Sequence, residues 1–320
     1  MRSDARRTST VRAGRDQRGF ALLAVLLVLA LVGVLGAEFA YSMRLEAAAV
    51  RGYKEAVIAA HLAEAGVAQA VREIVGDVAW AAVADDGLLT FYRRDRTRVA
   101  RLPRERVPLG AGEFAYRLSD EEGRVNVNTA QADRLDRLLR TLGVEKSQRD
   151  VIVDSIEDWR DANEEHRLSG AESEDTYLKL PVPYRSRNGA LESVAELLQI
   201  KGITAAIFGG AADTPGLAEV VTVKTPGQIN INTAPAVVLQ ALGLSEAEIT
   251  EIVQARRDAP YTTVPARFSG RGLAATTRTY RIEAEGLVGG RSMARVTAIV
   301  QLRATTGTSA IVVLDWSATR

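Results

Sequence analysis

The densest set of chemistry-bearing side chains lies between residues 154 and 175. Asp154, Glu157, Asp158, Asp161, Glu164, Glu165, Glu172, Glu174 and Asp175 stand there against Arg160 and Arg167. Oxygen ligands one and two residues apart, in a segment that contains Gly170, suit a calcium ion, which takes roughly six to eight oxygens at about 2.4 Å. The ligand order of an EF-hand loop is absent, and a solvated acidic loop is the other reading of the same residues. Little else competes for a reactive role. With no cysteine, a disulfide, a thiolate nucleophile and a Cys-ligated zinc are all excluded. His61 and His166 are the only histidines, too few for the usual His-based metal sites and triads. No nucleophile–base pair stands out, so the chain reads as a non-enzyme.

Composition bounds the elements that must position these groups. The chain has 320 residues, 47% of them hydrophobic, with 41 Lys+Arg against 40 Asp+Glu. At roughly 150 residues per domain, about two folded units are expected. The balanced charge excludes a globally basic nucleic-acid binder. The apolar content excludes wholesale disorder.

The N-terminus predicts a membrane anchor. Residues 1–18 hold Arg2, Arg6, Arg7, Arg12, Arg15 and Arg18 against Asp4 and Asp16. Residues 20–37, FALLAVLLVLALVGVLGA, carry no charge. As a helix they would span ~27 Å, close to a bilayer core. The basic flank belongs on the cytoplasmic side and the rest outside, which in a two-membrane bacterium is the periplasm. A buried core helix is the alternative. The apolar residues continue as Phe39, Tyr41, Met43, Leu45, Val50, Tyr53, Val57, Leu62, Val67, Val71 and Ile74, many three or four apart. The spacing predicts one helix from Phe20 to about Val75, turning amphipathic past the membrane and ~80 Å long.

The junction Arg18-Gly19-Phe20-Ala21-Leu22-Leu23 resembles a type IV prepilin leader. The resemblance implies that a prepilin peptidase cuts between Gly19 and Phe20 and that Phe20 is then N-methylated. Pilins usually carry Glu as the fifth mature residue, thought to pair with the subunit ahead. Here that residue is Ala24. A carboxylate without such a partner is costly in lipid, and a subunit at a filament tip has nobody ahead of it. A plain signal anchor is the alternative reading.

An internal repeat follows. Gly123-Arg-Val-Asn-Val-Asn-Thr-Ala130 recurs as Gly227-Gln-Ile-Asn-Ile-Asn-Thr-Ala234. Thr129 and Thr233 are expected helix N-caps, with Pro235 in a first turn. Each copy leads to an apolar helix, a Gly turn at Gly143 or Gly243, and a second helix over 151–159 or 249–256. Residues 191–209 predict a further helix–turn–helix around Gly202. The pattern resembles helix-hairpin-helix modules, including those of DNA-uptake receptors, which implies phosphate binding by backbone N–H groups at the turns. The charge opposes that reading. Residues 125–270 hold 15 Lys+Arg against 21 Asp+Glu, a net of −6.

Leu88–Tyr92, Phe114–Leu118, Thr279–Glu285, Ser292–Arg303 and Ile311–Trp316 read as strands, and the Arg-rich run 93–106 as a solvated turn region. The expected fold is α+β: a long transmembrane/amphipathic helix on an antiparallel sheet, with a large all-α inserted domain holding the hairpin-like repeats. The expected bounds are 1–19 for the leader, 20–80 for the helix, 81–123 for the first β region, 124–270 for the insertion and 271–320 for the closing strands.

Taken with the leader, Ala24 and both Asn-Val/Ile-Asn-Thr-Ala segments, the segment Asp158-Trp159-Arg160-Asp161 … Gly170-Ala171-Glu172 and the closing hairpin are similar to the K-type minor pseudopilin family of the type II (general) secretion pathway. The resemblance implies a single-pass inner-membrane protein with its bulk in the periplasm, capping and initiating a pseudopilus for protein export. It implies as partners the I- and J-type minor pseudopilins, other pseudopilins, the inner-membrane assembly platform and prepilin peptidase. It also implies calcium in the helical domain, for which Asp158, Asp161, Asn163, Glu165 and Glu172 are the candidate ligands. The alternative is a membrane-anchored periplasmic DNA-binding or uptake protein built on the hairpins.

Overall fold

In the computed structural model, which describes residues 17–211, 213–305 and 308–319, a helix α1 runs Gln17–Ile74. Two units are described separately, residues up to Glu55 and residues from Ala56 onward. In the first, the large apolar side chains stand exposed, Phe20, Leu23, Leu27 and Val34 among them. This stretch is apolar and long enough to cross a membrane.

From Ala56 the helix gains an inner face. Ala59, Leu62, Ala63, Val67, Ala70 and Ile74, at spacings of mostly three and four, are buried. Their partners are inward residues of a sheet, among them Phe114, Tyr116, Leu118, Ile282, Ala284, Val296 and Val300. Full burial of each large side chain stabilises by roughly 1.5–3 kcal/mol. Gly286 lets helix and sheet touch, because a Cβ there would run into the Ala59 carbonyl.

After a hairpin of β1 (Trp80–Val83) and β2 (Leu89–Tyr92), β3 (Val107–Leu109) and β4 (Gly112–Asp120) enter the main sheet. The chain then leaves it through β5 (Val125–Asn126), α2 (Ala132–Thr141), α3 (Lys146–Arg160), α4 (Ala205–Gly209), β6 (Gly210–Ala211), β7 (Thr214–Pro215), α5 (Leu217–Val220), β8 (Val221–Thr222), β9 (Ile229–Asn230), α6 (Ala236–Ala241), α7 (Glu246–Asp258) and β10 (Leu273–Ala274). It returns as β11 (Thr279–Val288), β12 (Arg291–Thr305) and β13 (Thr308–Thr319). The antiparallel order is β13-β12-β11-β4-β3. Tyr280 pairs with Asp120, so the insertion leaves and re-enters the sheet at one point.

Several expectations change in detail. The insertion carries its own core, from Val125 to Ala275. Its end therefore lies past residue 270, because Leu273 and Ala275 pack inside it. It is not purely α: β5 pairs with β8 and β9 with β10, both parallel, since each Asn-Val/Ile-Asn segment enters its helix from an extended backbone. Of 191–209, Val194–Gln199 is a 3-10 turn, and only Ala205–Gly209 is α-helical. Gln131 and Pro235, not Thr129 and Thr233, occupy the N-cap positions. The 93–106 run is not wholly solvated: Arg104 is buried and donates to Glu73 Oε1 (3.0 Å) and Oε2 (2.6 Å). Tyr116 Oη donates to the same carboxylate.

Candidate functional site

Gly19 lies within α1 and Phe20 follows it with its ring exposed. Residues 1–16 of the expected leader lie outside the described residues.

The repeat spends its polar groups on its own backbone. Asn126 Oδ1 accepts from the Asn128 N–H at 2.8 Å, and Asn230 Oδ1 from the Asn232 N–H at 3.0 Å. Asn128 exchanges bonds with Leu191 (2.8 and 2.9 Å). Asn232 accepts from the Tyr261 N–H (2.7 Å) and donates to the carbonyls of Tyr261 (3.0 Å) and Ala275 (2.9 Å). Arg160 donates to the carbonyls of Val127 and Ala130, and Arg256 to those of Ile231 and Ala234. Burial, and then the neighbouring Arg257, push the Arg256 pKa down to about 10.

These hairpins are poorly suited to phosphate. At the start of α7 the Glu248 N–H donates to Ser245 Oγ, and the Glu248 carboxylate accepts from the Ser245 N–H, so the cap is already closed. Arg271 covers the Gly243 carbonyl. Glu145 precedes α3, and its first residue, Lys146, is paired with Asp150.

Where the insertion joins the sheet, three carboxylates sit in a row. Asp120 accepts from Thr233 Oγ1 (2.6 Å), Thr277 Oγ1 (2.6 Å), Asn230 Nδ2 (2.7 Å) and the Glu122 N–H (2.8 Å). Burial still pushes its pKa up, as it does for Glu122. Burial would also raise Glu121, but Arg281 and Arg124 outweigh it and hold its carboxyl below the usual range. Glu121 also accepts from Thr222 Oγ1 at 2.6 Å. Sequence reasoning missed this junction, since Thr222, Asn230, Thr233, Thr277 and Arg281 lie about a hundred residues or more away in the chain.

The acidic loop hangs on the last turns of α3. Asp154 and Asp158 share a face of that helix. Asp154 Oδ2 accepts from the Ser169 N–H (3.0 Å) and Asp158 Oδ2 from the Ala171 N–H (2.9 Å). Gly170 is required there, because a Cβ would collide with Asp158 Oδ2. Arg167 Nη1 reaches Asp158 Oδ1 at 2.6 Å and Asp161 Oδ2 at 2.9 Å. Asp161 Oδ1 accepts from Asn163, whose Oδ1 accepts from the Glu165 N–H (2.8 Å). Glu165 itself is exposed. The structure thus brings Asp158 and Asp161 together on Arg167, places Asn163 beside them, and leaves the Glu165 side chain outside.

Glu172 takes no part in the Arg167 contacts and is 1% exposed. Its Oε1 has no hydrogen-bond partner. Ser186 Oγ stands 2.8 Å from Glu172 Oε2 and 2.5 Å from Asn188 Oδ1, and its one proton serves only one of them. Turning the Asn188 amide does not help, because its Nδ2 already faces the Asn163 carbonyl (3.2 Å) and Glu164 Oε1 (2.9 Å). The pocket is one donor short. Burial, ahead of the neighbouring Asp158, pushes the Glu172 pKa up despite the Ser186 hydroxyl. Among the described residues, no three acidic or histidine side chains converge tightly enough to hold a metal by themselves. Ser186 and Asn188 lie outside the acidic segment that sequence spacing marked, and Glu164, inside it, is not among the five candidate ligands.

Two family models match this chain, both described as type II secretion system (T2SS) protein K, over residues 116–211 and 229–281. A type II secretion system protein K from Pectobacterium carotovorum subsp. carotovorum is 32% identical over 123 residues, covering 33% of this chain and 37% of that protein. One from Klebsiella pneumoniae is 26% identical over 280 residues, 81% of each chain. This chain thus spans well under half of the Pectobacterium relative. The fold is similar to that in the crystal structure of the GspK-GspI-GspJ complex from the enterotoxigenic Escherichia coli type 2 secretion system. The TM-score is 0.62 at 16% identity, covering 87% of this chain and 99% of that one. The apolar helix, the sheet and the interrupting insertion give this chain a fold of the class seen in that structure. Within that class, the chain is similar to the protein K family over residues 116–211 and 229–281.

Proposed function

We propose that this chain is the minor pseudopilin at the tip of a type II secretion pseudopilus, where it caps the filament and initiates its assembly for protein export. The carrying observation is the insertion, which departs from the sheet at Asp120 and returns at Tyr280. A body of that size over the sheet blocks another subunit from stacking above. Ala24 supports the same place, since a terminal subunit has no subunit ahead to pair with a glutamate. The apolar helix anchors the protein once in the inner membrane, with the bulk in the periplasm. Prepilin peptidase cuts after Gly19, and Phe20 is methylated. The I- and J-type minor pseudopilins pack on the helix below, beside other pseudopilins and the assembly platform. The role is assembly, not catalysis. The test is complementation in a host lacking its own copy: the native gene restores export, and Gly19→Val, which blocks processing, does not. Export restored by the Gly19→Val variant would remove this reading.

A second proposal concerns calcium, and the donor-short pocket at Glu172 favours it. Glu172, Ser186, Asn188 and Glu164 supply oxygens where a proton donor is lacking, which suits a hard cation. Bound calcium would neutralise Glu172 and tie the loop to the 186–188 segment. Calorimetric titration checks it: calcium binds the native chain, and Glu172→Gln abolishes binding. Unchanged affinity in that variant would sink the proposal.

A further inference from the structure

Three N–H groups take up most of the acceptor capacity of Asp158, leaving little for a metal. A carboxylate offers about four lone-pair sites. Oδ1 receives Arg167 Nη1 (2.6 Å) and the Arg167 N–H (3.2 Å); Oδ2 receives that N–H (3.1 Å) and the Ala171 N–H (2.9 Å). One residue therefore grips this carboxylate with both its backbone and its side chain. The same guanidinium reaches Asp161 Oδ2 at 2.9 Å, and its other terminal nitrogen lies 3.7 Å from Glu157 Oε2. Three carboxylates at the end of α3 converge on one planar cation. Glu172, by contrast, keeps an unpartnered buried oxygen.

We propose that Arg167 is the resident cation of the Asp158–Asp161 pocket, standing where a divalent ion would otherwise sit, so that this half of the acidic loop folds without metal and calcium is confined to the Glu172 side. The confinement clause rests on the calcium reading above; the assignment of Arg167 does not. The two halves of the loop, both rich in carboxylates, thereby have different counter-ions. A guanidinium carried on the chain is present at every calcium concentration, so the α3 end stays ordered when the ion is withdrawn.

The experiment uses the full chain in detergent micelles, with melting and calcium binding measured for the native protein, Arg167→Gln, Arg167→Lys and Glu172→Gln. In EDTA, Arg167→Gln is expected to melt about 5 °C lower than the native chain, a shift typical of losing a buried charge partner. Arg167→Lys recovers part of that loss. With calcium added, Arg167→Gln gains a binding site that persists when Glu172→Gln is combined with it, because Asp158 and Asp161 are then free to ligate. A merely structural arginine would not exchange for calcium in this way. The proposal is overturned if Arg167→Gln melts with the native protein in EDTA. It is equally overturned if native calcium binding survives Glu172→Gln but is lost in Asp161→Asn, which would put the ion where Arg167 is assigned. If calcium binds Arg167→Gln but not the native chain, the Glu172 calcium reading falls and Arg167 stands as the resident cation; if no variant binds calcium, both fall and Arg167 is a structural ion-pair partner alone.

Discussion

The two copies of the Asn-Val/Ile-Asn-Thr-Ala motif share their internal hydrogen bonds and part company at their borders. In each, the first Asn folds back on the second, and the second clamps a distant loop. In each, an arginine from the following long helix plugs two motif carbonyls, Arg160 in one and Arg256 in the other. The first copy is tied sideways, with Asn126 Nδ2 donating to the Thr225 carbonyl. The second is tied to the sheet, with Asn230 Nδ2 and Thr233 Oγ1 both on Asp120. The helices that follow diverge too: α3 ends in the acidic loop, while α7 ends near Tyr261, whose backbone Asn232 holds. The motif is a backbone lock used twice, and its surroundings decide what each lock secures.

The largest test of that contrast is at Glu121, whose partners Arg281 and Thr222 join the sheet to β8, and through β8 to the first copy. Glu121→Gln leaves Arg281 and Arg124 without their buried carboxylate and should destabilise by about 3–5 kcal/mol in denaturant unfolding. The sign of its pH dependence follows from the depressed pKa. The native contribution is fully present above the unfolded value of 4.5 and is lost as pH falls through the lower folded value, so the deficit of Glu121→Gln should shrink in acid. A deficit that instead grew on acidification would contradict the ion-pair account.

Next come the clamps. Asn232 is fully buried and makes three bonds to Tyr261 and Ala275, whereas Asn128 is half-buried. Asn232→Ala is expected to cost about 3 kcal/mol and Asn128→Ala about 1.5 kcal/mol, read from the same unfolding curves. Equal losses would mean that the clamps do not differ as their burial implies. The smallest effects belong to the hairpin turns. Gly143 and Gly243 have φ of +80° and +79°, and neither has a close neighbour for an added Cβ. Alanine at either should cost only the backbone strain, ~1 kcal/mol, and the same at both.

Much of the architecture was legible in the sequence. The uncharged run 20–37 and the three-and-four spacing after it marked α1 to within a few residues, because helix periodicity is a local property. The alternation in 114–118 and 279–285 marked central strands for the same reason. Thr129 and Thr233 were misread as caps because Ser/Thr before an apolar helix is a capping pattern; the hydroxyl of Thr233 instead went to Asp120, a partner 113 residues away. Arg104, sitting in an arginine-rich run, gave no sign that Glu73 and Tyr116 would enclose it. In the acidic loop the sequence singled out Asp158, Asp161, Asn163, Glu165 and Glu172 by residue type and spacing. It gave no means of telling that Arg167 and Ser186 would sort them into two groups.

By itself, then, the sequence determined the long apolar helix, the strand pattern and the duplicated lock, since each is written in spacing and residue type over short stretches. Only the tertiary structure decided which carboxylates find cations, which stay buried with hydroxyls and amides, and which remain short of a donor. Those outcomes depend on chain segments brought together across tens to more than a hundred residues. A buried charge is settled by the partners that the finished fold places around it, and not by its neighbours in sequence.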